Sequence, residues 1–332
     1  MTQARANRSK PDVEASRAGL ARRVLAIPEL APFLAFVIVM LAVSLVDARM
    51  LSSANLGTMA RALAHSGIVA VGMAFLLISG EIDLSAGSVG TLAAVVCAYL
   101  VVRKGWSVPP ALLTALLSCM LVGLVNGLIT VRLGLTSFIT TLGTHYLSFG
   151  IAMALAEGKE IIGLPAALST WGNAPILGVS PGFLIFVVLV LVGDLVLKRT
   201  TLGGMVIATG GNRLAARVAG INTDRVKIAC FVLVSTLAAV AGLLTMARFQ
   251  AGDVYIGRPW QLTVIAISVL GGVSLLGGVG TILGAFFGAF LVQAIRSSLV
   301  MLGVQATGQD LVIGVFLVIA ATADVLRRRT RT

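Results

Sequence analysis

The sequence predicts an all-α polytopic membrane protein of about ten transmembrane helices with both termini in the cytoplasm. Three observations carry that prediction: the composition, the spacing of apolar windows and the placement of basic residues. Of 332 residues, 58% are hydrophobic and only 11% charged, and the mean hydropathy is +1.02. A soluble domain with a polar surface lies far from these values. One helical crossing needs roughly 20 residues at about 1.5 Å each, so the length accommodates about ten crossings and little else.

Apolar windows fall at 29–46, 59–79, 85–101, 110–130, 138–156, 182–197, 227–247, 262–276, 281–302 and 309–326, the eighth being the weakest. Lipid offers no water to backbone groups, and runs this long without alternation read as helices rather than barrel strands. An even number places both ends on one side. With the ends inside, seventeen Lys and Arg fall in inside segments and six outside, while Arg61 and Arg296 lie within windows. Retention of basic residues on the cytoplasmic side explains this asymmetry, and with it the net charge of +12, without nucleic acid. The chain divides into a basic cytoplasmic tail at 1–28, a membrane domain at 29–326 and a basic tail at 327–332. The apolar run after the first tail is too long for a cleaved signal core, so an uncleaved first anchor is expected.

The second and third windows are joined by "LLISGEIDLSAGS", residues 76–88, with two carboxylates in an otherwise apolar stretch. A tight inside turn accounts for it: Gly80 ends one helix, and Asp83 or Ser85 caps the next, where acceptors meet free N–H groups and a positive dipole end. Both acids are expected to reach water. Capping leaves Glu81 as either a solvated surplus or the partner of a basic group.

Two connections are long. Residues 157–181 lie outside and are expected to hold a short surface helix, either a plain connector or a partner-docking element. Residues 198–226 lie inside and contain "GGNRLAARVAGI", in which Leu214, Val218 and Ile221 share a helical face, with Arg213 and Arg217 on another. Such a helix rests on anionic lipid or fills a groove on a cytosolic partner. In "GGVSLLGGVGTILGAFFGAF", Gly280, Gly284 and Gly288 recur every four residues and predict a smooth helix-packing face. "GSVGTL" at 87–92 and "GGVGTI" at 277–282 are faintly alike, each expected to open a helix after an inside turn.

No GxxxxGK[ST], GxSxG or HExxH occurs, so neither nucleotide hydrolysis nor catalysis is predicted, and no metal site or cofactor. His65 and His145 are isolated and read as packing residues. Cys97, Cys119 and Cys230 sit in apolar runs without metal-ligand spacing and read likewise.

Four stretches together resemble the membrane permease subunits of bacterial ATP-binding-cassette importers for ribose, xylose, arabinose and related sugars. They are "NLGTMARALAHSGIVAVGMAFLLISGEIDLSAGS" from Asn55, "NGLITVRLGLTSFITTLGT" from Asn126, "TTLGGMVIATGGNRLAARVAGI" from Thr200 and "GGVSLLGGVGTILGAFFGA" from Gly271. Each is rich in small residues and unspecific alone; four in order are specific. The resemblance implies a ten-helix inner-membrane importer subunit paired with a second permease copy or paralogue. Two cytosolic ATPase subunits would bind and use the ATP, and a periplasmic sugar-binding protein would deliver the substrate. It also implies that 198–226 is the ATPase coupling loop, with Asn212, Ala215, Ala216, Arg217, Gly220 and Ile221 at the contact. The Ala215-Ala216-xxx-Gly220 spacing is similar to the importers' coupling motif without its leading acid.

A neutral, hydroxyl-rich solute needs hydrogen-bonding groups along its path. Candidates are Asp83, Ser85, Ser88, Asn126, Phe138, Thr140, Thr141 and Thr144. Departures from the family pattern fall at Thr136–Ser137, at Gly204 and at Trp260-Gln261-Leu262. The rival reading is an ion-coupled secondary transporter, for which Asp83, Glu81 or Asp194 would be the intramembrane carboxylate. Nucleoside and branched-chain amino-acid importers are more distant relatives with similar glycine patterns.

Overall fold

The structure, a computed structural model, describes residues 29–176 and 178–329. The tail at 1–28 and residues 330–332 of the C-terminal tail lie outside the described residues. Each apolar window overlaps a helix. In order these are α1 (Leu30–Ser44), α2 (Ser53–Ile78), α3 (Ala86–Ala98), α4 (Val108–Arg132), α5 (Ser137–Ala156), α7 (Pro181–Arg199), α10 (Thr223–Phe249), α11 (Trp260–Leu270), α12 (Ile282–Met301) and α13 (Ala306–Arg329). A π-helical turn, Tyr99–Arg103, extends α3. Among the described residues, seven helices are long and apolar enough to cross a membrane: α2, α3 with its π turn, α4, α5, α7, α10 and α12.

Polar residues set the helix starts. Ser52, Thr281 and Asn222 accept backbone N–H bonds from Asn55, Gly284 and Arg225, starting α2, α12 and α10. Pro109 and Pro110 occupy the first turn of α4, where a missing N–H costs nothing.

α2 forms the axis and is buried almost continuously from Leu63 to Ile78. It packs with α10, α12, α7 and α11, whereas α4 and α7 each present one bare apolar side. Leu113, Leu117, Leu121, Leu124 and Leu128 form that stripe on α4, and Val188, Leu191, Val192 and Leu195 on α7. Leucines exposed at helical spacing on membrane-length helices are lipid-facing surface. The chain is thus an all-α multi-pass membrane protein. α1 joins the periphery through edge-to-face ring contacts, Phe33 with Phe287 and Phe36 with Phe290.

The eighth window is half a helix. α11 has 11 residues, about 16 Å at 1.5 Å per residue, roughly half a hydrocarbon core. Residues 271–281 follow without helix, with Val273 and Ser274 buried. Irregular backbone is tolerated beside a bilayer when protein covers it, and here α12 does. Added Cβ atoms at Gly284 and Gly288 would strike the carbonyls of Gly271 and Ile267 respectively. Gly280 is not on that helix face: with φ +154° it precedes the Thr281 cap and meets Ile78 and Val273 instead. The same cap separates the paired hexads, since "GSVGTL" lies inside α3 whereas "GGVGTI" is loop up to Ile282.

The connection at 157–181 contains α6 (Ala166–Asn173) and β1 (Ile161–Ile162), which pairs antiparallel with β2 (Ala251–Gly252). The connection after α7 contains α8 (Thr201–Gly211) and α9 (Arg213–Val218). Cys97, Cys119 and Cys230 are buried and free.

Candidate functional site

The polar residues of the second turn face protein rather than water. Asp83, Ser85 and Thr141 are fully buried. The backbone N–H and hydroxyl of Ser85 both donate to Asp83 Oδ1 at 2.6 Å. Asn126 on α4 donates to Ser85 Oγ at 3.0 Å, and Thr144 on α5 donates to Asn126 Oδ1 at 2.7 Å. The Leu84 N–H donates to Thr141 Oγ1 at 3.0 Å and the Ile82 N–H to Ser137 Oγ at 3.3 Å. Buried polar groups seek one another in this way because lone ones are costly. Ser85 begins α3 without a side-chain cap; Asp83 instead closes a local loop onto Ser85. Burial pushes the Asp83 carboxyl up to about 6, against the opposing hydrogen bonds of Ser85 and Asn126.

Glu81 has a basic partner: Lys227, near the start of α10, lies 2.5 Å from Glu81 Oε1. Both side chains are largely buried, at 14% and 8% exposure.

A separate cavity of about 400 Å³ lies between α3, α5 and the segment joining β2 to α11. Ser88 and Thr91 of α3 line it, with His145, Tyr146 and Phe149 of α5, and Val254, Tyr255, Arg258 and Gln261. Glycine makes this wall possible. Gly87 and Gly257 approach so closely that a Cβ on either would strike the other's carbonyl. The Gly257 N–H then donates to Thr91 Oγ1 at 3.0 Å, laying the loop on α3. His145 and Phe149 are stacked, with centroids 6.4 Å apart and planes 3° from parallel, and Phe149 meets Tyr255 at 6.2 Å. The cavity therefore offers hydroxyls, an amide, an imidazole and a guanidinium beside a row of rings. No carboxylate lines it, and no cluster of metal-ligating residues occurs among the described residues. Such a lining suits a neutral, hydrogen-bonding solute with one apolar face.

Of the path candidates, only Ser88 opens onto this cavity. Asp83, Ser85, Asn126, Thr141 and Thr144 bond to one another, Thr140 is buried, and Phe138 is exposed on α5 away from the lining. His145, read as packing, lines the cavity, as does Gln261 from the Trp260-Gln261-Leu262 departure. Nothing at the level of spacing joins residues from positions 88, 145 and 255; the aromatic repeat His145–Phe149 was the one available signal.

The family of permease components of branched-chain amino acid transport systems matches residues 55–321. The chain belongs to that permease family. Curated relatives include the autoinducer 2 import system permease protein LsrC of Enterobacter sp. (strain 638), 35% identical over 265 residues, 80% of this chain and 77% of that protein. LsrC of Photorhabdus luminescens is 34% identical over 257 residues, 77% of each chain. LsrC of Yersinia pestis (strain Pestoides F) is 35% identical over 250 residues, 75% of this chain and 71% of its own. No solved structure matches. The protein is accordingly a multi-pass inner-membrane permease of the ATP-binding-cassette importer class, a transport component that works with ATPase and binding-protein partners.

In this permease the connection between α7 and α10 folds as a sequence of capped short helices. Thr200 starts α8 by accepting from the Gly203 N–H, and Asn212 starts α9 by accepting from the Ala215 N–H at 3.0 Å. Gly220, at φ +84°, ends α9: its N–H donates to Arg217 O and the Ile221 N–H to Ala216 O, both at 3.0 Å. This paired closure requires a left-handed residue, which glycine supplies without penalty. Ala216 is buried, while Leu214 and Val218 are 75% and 84% exposed. The arginines do not point outward to meet a partner. Arg213 and Arg217 reach Asp224 Oδ1 at 3.1 and 2.5 Å, and Arg217 Nε donates to Thr223 Oγ1. What α9 offers a partner is an apolar edge.

The end of α8 also touches the α2–α3 turn and the segment before α12. A Cβ on Gly210 would strike the Ile78 carbonyl, which the Gly278 N–H meets at 2.8 Å. Residues 78–80, 210–211 and 277–278 thus meet backbone to backbone.

Proposed function

We propose that this permease carries a sugar or sugar-like solute inward, paired with a second permease copy or a paralogue. Two cytosolic ATPase subunits bind and hydrolyse the ATP, and a periplasmic binding protein delivers the solute. The cavity bounded by α3, α5 and the 254–261 segment carries the reading. Its hydroxyl, amide and ring lining matches a neutral furanose or pyranose, with polar edges for hydrogen bonds and a C–H face for the rings. An amino-acid zwitterion would need both charges met, and the lining holds Arg258 without a carboxylate. The autoinducer 2 import role of the LsrC relatives supports a sugar-like solute. The apolar edge of α9 is the ATPase contact, with Asn212, Ala215, Ala216, Arg217, Gly220 and Ile221 shaping it. Alternation between outward and inward states is driven by partner binding and ATPase closure rather than by an ion. Of the three carboxylates the ion-coupled alternative could use, Glu81 and Asp194 are neutralised by lysines, Lys227 at 2.5 Å and Lys198 at 3.1 Å, which leaves Asp83 as its one candidate.

Vesicle uptake with the cognate ATPase and binding protein tests this. The expected result is ATP-dependent, vanadate-sensitive accumulation of a sugar-class solute with no uptake of leucine. Accumulation without ATP that follows the proton gradient would overturn it.

A further inference from the structure

The pair Glu81–Lys227 is a buried charge pair between two segments that the chain separates by 146 residues. Its position is specific. One turn before Lys227, Asp224 holds Arg213 and Arg217 and so fixes α9 to the start of α10. Two residues after Glu81, Asp83 binds Ser85, whose carbonyl accepts from Ser88 at 2.8 Å, and Ser88 stands in the cavity wall. A buried ion pair is a poor choice for stability alone, because desolvation offsets much of its attraction and apolar side chains would pack as well. Its distinctive property is registry: it holds two elements in one relative position and penalises others.

We propose that Glu81 and Lys227 are positioning residues for ATP-coupled transport. The pair clamps the start of α10 to the α2–α3 turn, so that displacement of α9 shifts the start of α3 and, with it, Ser88 in the cavity. Neither residue touches the solute. This inference rests on the importer reading above and adds the element that transmits the coupling.

Proteoliposomes containing the permease, its ATPase and its binding protein provide the test, with solute transported per ATP hydrolysed as the readout. E81Q and K227Q should each lower that ratio about fivefold or more while ATP hydrolysis and assembly persist. The exchanged pair E81K/K227E should recover most of it, and K227R should stay within about twofold of wild type. A thiol at position 88 (S88C) should be labelled at an ATP-dependent rate, and E81Q should abolish that dependence. Unchanged ratios in E81Q and K227Q would overturn the clamp. So would a parallel fall in assembly, hydrolysis and transport that the exchanged pair fails to rescue, since that marks a pair needed only for folding. Wild-type uptake that ignores ATP would overturn the importer reading and this inference together, whereas ATP-dependent uptake with unchanged variants overturns the clamp alone.

Discussion

Asp83 has one oxygen doubly engaged by Ser85, while Oδ2 is buried without a hydrogen-bond partner among the described residues. A carboxylate so placed is easier to bury protonated, and the carboxyl is raised from 3.8 to about 6 by burial. The sign follows from proton linkage. The folded state holds its proton to higher pH than the unfolded chain, so this stabilisation is complete below about pH 4 and is lost as pH rises through about 6. Asp83→Asn keeps an acceptor for Ser85 and removes the titration. The thermal midpoint of the solubilised wild-type protein should therefore fall relative to D83N between pH 4 and 7, by an amount equivalent to about 3 kcal/mol. Parallel midpoints across that range would show that the carboxyl titrates normally. From the local sequence alone this residue reads as reaching water, since a charged turn between two helices ordinarily does. The polar partners that bury it, Asn126 and Thr144, come from α4 and α5 and leave no local trace around position 83.

Among the elements, α9 has six residues, too short to persist by helix propensity. It persists because Asn212 caps its start, Gly220 closes its end and Asp224 gathers both arginines. A Cβ at Gly220 would meet open space, so Gly220→Val acts only through the left-handed backbone, at roughly 1–2 kcal/mol. That should loosen the end of α9 without disturbing the membrane core. G220V is expected to assemble and hydrolyse ATP while transporting less solute per ATP. Leu214→Asp with Val218→Asp, which charges the exposed edge, should instead reduce ATPase co-purification. Equal co-purification of the double variant would remove α9 from the contact. The helical windows were legible because burial in lipid or protein needs continuous apolar sequence, and the short α9 because Asn and Gly mark its ends. The half-length of α11 was less so: apolar residues continue past Leu270 through Val273 and Leu276, and what stops the helix is glycine meeting α12.

At the scale of the whole molecule, glycine contacts organise two places. Gly87 with Gly257 shapes the cavity, and Gly210 with Gly278 and the Ile78 carbonyl joins three turns. The cavity itself was scarcely legible, because its walls come from three segments and hydroxyls such as Thr141 look the same whether they line a path or satisfy a neighbour. Of the path candidates, Ser88 lines the cavity while Asp83, Ser85, Asn126, Thr141 and Thr144 hold the turn; Phe149, Tyr255 and Gln261 line it from outside that set. The last prediction separates these roles. Each aromatic contact is worth about 0.5–1.5 kcal/mol, a two- to tenfold effect on rate if made while solute passes. Phe149→Ala and Tyr255→Ala should each slow sugar-class uptake by about that factor, leaving basal ATP hydrolysis and the binding protein's affinity unchanged. Asn126→Ala sits in the buried network and should instead lower the thermal midpoint, since it removes the amide that bridges Ser85 Oγ and Thr144 Oγ1. Uptake measured beside thermal stability distinguishes the sets. If F149A and Y255A transport at wild-type rate while N126A loses transport without losing stability, the path runs through the polar network and not through the cavity.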